Sequence, residues 1–204
     1  MPKFLVADGL VEYDQAIKTM LKIVEEIQNG NEEVVWFLEH PPIYTAGTSA
    51  RSADLLNKTF PVYKSTRGGQ YTYHGPGQLI VYVMVDLKKR NNDVRAFVQG
   101  LETWVIHTLK KLNIQGKCKP GRIGIWLDDV AERKIASIGV RVTKGVTWHG
   151  LSLNVNTDLG HYQGIVPCGL TGYKMTSLKA EMVNVDMPEV VSVMQSCVNT
   201  CGIW

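Results

Sequence analysis

Long apolar runs are missing from this chain. The longest, Leu79 to Val85, falls far short of the ~20 residues that a membrane-spanning helix needs. The start, Met1 to Asp8, lacks the apolar core of a signal peptide and reads as a strand. Cysteine is sparse. The four, Cys118, Cys168, Cys197 and Cys201, include no Cys-x-x-Cys pair, which argues against zinc and thioredoxin-like redox chemistry. Reduced thiols in the cytoplasm are the simplest account. No two histidines stand at metal-ligand spacing. Charge of one sign is also scarce: the net charge is +3, with no long Lys or Arg run. That excess is too mild to imply a nucleic-acid partner and suits an acidic protein. There is no linker, internal repeat or low-complexity tract, so residues 1–204 are expected to form one domain.

What is present is ordinary for a soluble globular chain, 45% hydrophobic and 20% charged. Phe4 to Ala7 reads as a strand. Asp8 is placed to cap a helix with Leu10, Tyr13, Ile17, Met20, Leu21, Val24 and Ile27 at helical spacing, stopped by Asn29-Gly30. Val34 to Glu39 has the composition of a buried strand, ended by Pro41-Pro42. Ile43 to Ser49 reads as a loop with Gly47 at a special φ, and Ser52 to Leu56 as a short helix. Val62 to Thr66 and Leu79 to Leu87 read as strands, the latter central. Asp93 is placed to cap a second helix with Val94, Phe97, Leu101, Trp104, Val105, Leu109 and Leu112 on one face, ended near Gly116. Strands follow at Ile123 to Leu127, Ile135 to Val142 and Val146 to Val155, the last two joined at Lys144-Gly145. Thr157 to Lys174 has no clear period and reads as a loop. Pro188 opens a terminal helix that would carry Cys197 and Cys201 at i and i+4. Strands cluster between helices, which points to an α+β fold with a mixed, mostly antiparallel sheet flanked by helices.

The densest local signal is Arg67 to Gln78, with Gly68, Gly69, Gly75, Pro76 and Gly77 set among aromatic and cationic side chains. It reads as a hairpin: a strand ends at Thr66, Gly68-Gly69 turns, Gln70 to His74 runs extended, and Gly75-Pro76-Gly77 turns again. An ordinary glycine-rich turn with two packed tyrosines, Tyr71 and Tyr73, accounts for the same residues.

Chemistry has few candidates. Cys168 lies between Pro167 and Gly169, on stiff backbone with room for a reactant. It reads either as a small core residue or as a nucleophile, which would need a cation, a base or a helix N-terminus nearby. Lys134 opens an otherwise apolar strand. It reads either as a solvated strand-end lysine or as a desolvated proton acceptor. His40 and His107 read as structural, and His161 precedes Cys168 in the loop. Cys118 lies between two lysines and reads as exposed.

Taken together, Arg67-Gly68-Gly69-x-x-Thr72-x-His74-Gly75-Pro76-Gly77-Gln78, Lys134 to Gly139, His149 to Asn154 and Pro167-Cys168-Gly169 resemble the lipoyl(octanoyl) transferases in order and spacing. The resemblance covers essentially the whole chain. It implies the catalytic core shared by biotin and lipoate protein ligases and by class II aminoacyl-tRNA synthetases. It implies transfer of octanoate from octanoyl-acyl carrier protein to a lysine of lipoyl domains, those of 2-oxoacid dehydrogenase complexes and of the glycine cleavage H protein, with no cofactor. By motif, Cys168 is the acyl-thioester nucleophile and Lys134 promotes its ionisation. Arg67, Gly68, Gly69, Gln70, Tyr71, Thr72, Tyr73, His74, Ser137, Ile138, Gly139, Gly150, Leu151 and Ser152 line the substrate site. Tyr71 stands where a smaller aliphatic residue is common in that family, which bears on pocket shape. Ile80, Val83, Ile138 and Leu151 are candidate apolar walls, and backbone N–H groups near Gly169 or Gly139 are candidate oxyanion donors. An ATP-dependent lipoate or biotin ligase and a non-catalytic acyl-binding module are the rival readings.

Overall fold

The structure, a computed structural model, describes residues 1–127, 131–169 and 172–204. Residues 170 and 171 of the expected loop therefore lie outside the described residues. Strand β1 (Lys3–Leu10) pairs in parallel with β2 (Val34–Glu39), and helix α1 (Tyr13–Gln28) makes the crossover that parallel pairing requires. Asp8 does not cap α1. Pairing continues as far as Leu10 opposite Glu39, so Asp8 stays in the strand and the cap position falls on Glu12, without a side-chain cap bond. The helix buries Ala16, Met20, Ile23, Val24 and Ile27, whereas Leu10 and Leu21 are exposed.

Ile43–Ala46 is a strand, β3, where the sequence suggested a loop. It lies between β4 (Val62–Lys64), to which it is parallel, and β5 (Tyr71–His74), to which it is antiparallel. The two arms of the expected hairpin therefore do not pair with each other, because β3 sits between them. Gly47 is needed for space and not for a special φ: a Cβ there would fall 2.3 Å from the carbonyl oxygen of Gly69. A single 3₁₀ turn, Ser52–Asp54, replaces the short helix expected nearby.

Strand β6 (Gln78–Met84) ends before a 3₁₀ turn at Leu87–Arg90. Helix α2 (Val94–Lys111) is capped as expected, the Asp93 carboxylate accepting from the Ala96 amide at 2.9 Å. It stops at Leu112, and Gly116 opens a strand absent from the sequence reading, β7 (Gly116–Lys119). Strands β8 (Arg122–Leu127), β9 (Arg133–Thr143) and β10 (Val146–Asn154) follow. Lys144 and Gly145, at φ 50° and 89°, form the two-residue turn between the last two. The segment expected as loop holds 3₁₀ turns at Leu159–Gly164 and Pro167–Gly169 and ends in β11 (Lys174–Met175). Helix α3 (Met187–Ser196) is capped by Asp186. Because it ends at Ser196, Cys197 and Cys201 do not share a helical face, although both are buried.

The large sheet has the order β1-β2-β6-β10-β9-β8-β7, with β11 added in parallel at β9, and the small one β4-β3-β5. Side chains on β6 alternate between two cores. Leu79, Val81 and Val83 pack with Trp104, Leu109 and Met194 of α2 and α3. Ile80, Tyr82 and Met84 pack with Met20 and Val24 of α1. Among the described residues, no helix is long and apolar enough to cross a membrane.

Candidate active site

Lys134 is the second residue of β9 and only 1% exposed. Its Nζ donates to the carbonyl of Ile123 at 2.9 Å and stands 3.2 Å from the sulfur of Cys168. Two residues of β8 make this possible. Gly124, at φ 112°, leaves the space through which the lysine runs, since a Cβ there would lie 2.7 Å from Lys134 Cε. Trp126 places its ring 5.3 Å beneath Nζ, a cation–π contact that needs no carboxylate. Cys168 arrives from the opposite direction. Its φ of 55° and ψ of 16° put it in the left-handed region, where a side chain costs energy that the surrounding contacts must offset. Those contacts lie on both flanks: Val166 N–H donates to the Asp54 carbonyl, Tyr173 O–H donates to the Pro167 carbonyl at 2.8 Å, and β11 pairs with Arg133 and Lys134. Burial, and after it the neighbouring Cys168 sulfur, push the Tyr173 phenol well above its ordinary range.

Cys168 and Lys134 open onto a cavity of about 440 Å³. Arg67, Gly68, Gly69, Gln70, Tyr71, Thr72, His74, Ser137, Ile138, Gly139, Gly150, Leu151 and Ser152 line it. Tyr73 does not. It lies on the opposite side of β5, where its O–H bonds with His161 Nδ1 at 2.7 Å within a cluster that includes Tyr44 and Tyr162. This also occupies His161 away from Cys168. Of the candidate walls, Ile80, Ile138 and Leu151 line the cavity, but Val83 faces the α2 core because its parity on β6 is opposite to that of Ile80.

Arg67 is buried, and among the described residues its hydrogen-bond partners include no carboxylate. Nη2 donates to Thr45 O and Oγ1 and to Gln70 O, and Nη1 donates to Gly68 O. These bonds hold the glycine-rich backbone around the guanidinium, whose pKa burial lowers. His74 Nδ1–H donates to Gln78 Oε1 at 2.7 Å, and Nε2 of that amide donates to Tyr73 O, Asn154 Oδ1 and the Tyr162 hydroxyl.

Sequence reasoning missed a polar part of the cavity wall, which Tyr13, Tyr82 and His149 line. His149 has φ 59°, and this breaks the strand alternation: its ring stacks on that of the preceding Trp148, at 4.5 Å and 19°. Alternate Ile80 and Tyr82 carried a period-two signal, but nothing in the sequence marked the turn at His149. Burial holds His149 un-ionised, its pKa lowered to about 3, with the Arg67 charge adding to the effect. Behind it, His40 Nδ1–H donates to Val11 O and its Nε2 accepts from Tyr82 O–H, and burial lowers its pKa to about 4.

Known proteins resemble this chain in sequence and in fold. Residues 12–199 match the family model of the lipoyl protein ligase A/B catalytic domain. An octanoyltransferase of Wolbachia pipientis is 46% identical over 198 residues, covering 96% of this chain and 97% of that protein. One of Parvibaculum lavamentivorans is 52% identical, covering 91% of this chain and 88% of that protein. Among solved structures, lipoate-protein ligase A bound with ATP superposes with a TM-score of 0.76 at 15% identity, covering 98% of this chain and 85% of its own. The bi-partite lipoate protein ligase of Thermoplasma acidophilum gives 0.73 at 18%, with 98% and 84% covered. The biotin protein ligase of Aquifex aeolicus gives 0.58 at 14%, with 98% and 69% covered. These distant likenesses establish the ligase-type α+β core; the close relatives establish the family, and the chain belongs to the octanoyltransferases of the lipoyl protein ligase A/B catalytic-domain family.

Proposed function

We propose that this protein, a single catalytic domain, transfers an octanoyl group from octanoyl-acyl carrier protein to the lysine of a lipoyl domain through a thioester on Cys168. The observation that carries the reading is the 3.2 Å approach of Lys134 Nζ to Cys168 Sγ at the wall of the cavity. An ammonium at that distance favours the thiolate, the form of cysteine that attacks carbonyl carbon. In the first half-reaction the thiolate forms a bond to the thioester carbon, and the carbonyl electrons move to oxygen. The intermediate collapses, the carbon–sulfur bond to the carrier breaks, and the departing thiolate takes a proton from Lys134. One thioester replaces another, so the step is close to energetically even and needs no ATP. In the second, the neutral amine of the acceptor lysine attacks the acyl-enzyme. Lys134, now an amine, takes the surplus proton as the amide forms, and Cys168 leaves as thiolate.

The cavity supplies binding. Ile80, Ile138 and Leu151 offer apolar walls to an eight-carbon chain, and each buried methylene contributes about 0.8 kcal/mol. Lipoyl domains of 2-oxoacid dehydrogenase complexes and the glycine cleavage H protein are the acceptors that fit, and the cytoplasm is the compartment in which the four free thiols stay reduced.

The test is intact-mass spectrometry. Incubated with octanoyl-acyl carrier protein and no nucleotide, the protein should gain one octanoyl mass and lose it when a lipoyl domain is added. Cys168→Ser should gain none. A full-rate adduct on Cys168→Ser would remove the nucleophile assignment, and transfer that requires ATP would give the function to a ligase.

A further inference from the structure

An oxyanion forms in both half-reactions, and of the two glycines named from sequence as donors, Gly169 is already engaged. The Gly169 N–H, adjacent in the chain to Cys168, donates to the Val166 carbonyl at 3.0 Å. Unpartnered polar atoms point to a replacement. Among the described residues, six buried side-chain nitrogen or oxygen atoms lack a hydrogen-bond partner, and four of them, Arg67 Nε, Gln70 Oε1, Thr72 Oγ1 and His149 Nε2, belong to residues that line this one cavity. Of the four residues, Gln70 is the one whose side chain abuts the nucleophile loop. A Cβ at Gly169 would lie 1.6 Å from its Oε1, 2.4 Å from Cδ and 2.6 Å from Nε2, so the whole amide packs on the face of the residue that follows Cys168. Its base is held firmly: Gln70 O accepts from Arg67 Nη2 at 2.9 Å and from the Gly47 amide at 3.2 Å.

We propose, resting on the acyl transfer set out above, that the side-chain amide of Gln70 is a catalytic oxyanion donor, giving an N–H to the thioester oxygen as Cys168 attacks. Oε1 there meets no donor, Nε2 lies within 2.6 Å of the same Gly169 Cβ position, and the two orientations of the amide are nearly isosteric, so either keeps an N–H₂ beside the nucleophile loop. The donor is neutral, so it favours the oxyanion without competing with the thiolate for the charge on Lys134. Glycine at 169 then has two reasons: its φ of 60°, and the room it leaves for the amide.

Two rates separate this role from simple support of the loop. Acylation of Cys168 by octanoyl-acyl carrier protein passes through an oxyanion; alkylation of the same sulfur by iodoacetamide does not. In Gln70→Met, which keeps the shape and removes the donor, single-turnover acylation should slow about 10²–10³-fold while alkylation is essentially unchanged. Gly169→Ala should give the same direction of change, because its Cβ expels the amide. Acylation of Gln70→Met at the wild-type rate overturns the proposal. So does a parallel loss of acylation and alkylation, which would make Gln70 a prop for the nucleophile. If Gly169→Ala does not fold, Gln70→Met decides alone. A wild-type protein that never acquires octanoate would instead refute the acyl-transfer reading, so the two failures are distinguishable.

Discussion

The two faces of the large sheet differ more than their shared strands suggest. Toward α2 and α3, Val81, Val83, Trp104 and Leu109 are fully buried and apolar. The Trp104 indole N–H there donates to the Met194 carbonyl at 2.7 Å, and the Thr108 hydroxyl to the Trp104 carbonyl at 2.9 Å. Toward α1 and the small sheet, the next residues along β6 and β10 meet rings with polar edges: His40, His74, Tyr82 and His149. The first face is closed and leaves one of its buried polar atoms, Trp204 Nε1, without a partner. The second, open face holds four such atoms, on residues that line the cavity, although Ile138 and Leu151 at the edge of the first core line it too. Unpartnered buried groups cost stability, so they persist where binding or chemistry makes use of them.

Substitutions can break this contrast. The largest effect should come from the closed face: Trp104→Ala is expected to lose about 3–5 kcal/mol of stability, read by urea unfolding. The molecules that remain folded should still alkylate Cys168 at the normal rate, and a parallel loss of reactivity would mean that the two faces are not independent. On the open face, Lys134→Ala should slow alkylation of Cys168 near neutral pH by about tenfold or more. The deficit should close at high pH, and an unchanged rate–pH profile would remove the ammonium from the mechanism.

Acid should separate the faces next. His40 and His149 are held to about 4 and about 3, below the ordinary imidazole value. The unfolded chain takes up these protons first. Stability is therefore whole above pH ~6.5 and falls as pH drops toward 3–4, by on the order of 1 kcal/mol per pH unit for each histidine. His149→Asn should flatten that slope in a pH series of melting curves. Trp104→Phe should lower the curve without tilting it, and a changed tilt would show that the closed face also titrates. The smallest effect concerns the wall. Tyr71→Val enlarges the cavity and should raise the ratio of decanoyl to octanoyl transfer about tenfold, measured by competition between the two acyl carriers. An unmoved ratio would place the chain's methyl end elsewhere.

Much of this was legible in residues alone. The Asp93 cap, the α2 periodicity and the Lys144-Gly145 turn are local features, set by backbone and neighbouring side chains, and they stand where the pattern put them. The spacing of the Arg67–Gln78, Lys134, His149 and Cys168 motifs pointed to the family that the comparisons establish. β3 was not legible, because its strand character comes from two partners, β4 and β5, that are distant in sequence. Tyr73 was misplaced for a related reason: motif membership does not carry parity, and alternation on β5 sends it away from the cavity while Thr72 and His74 face in.

Sequence by itself determined the three long helices, the central strands, the Lys144-Gly145 turn and which family the chain joins, since those depend on order and spacing. Only the tertiary structure decided that an amine on β9 and a sulfur 34 positions later lie 3.2 Å apart. It alone turned His149 beside Trp148 and laid Gln70 against Gly169. Such encounters follow from pairing between remote segments and from single backbone torsions, and a linear pattern encodes neither directly.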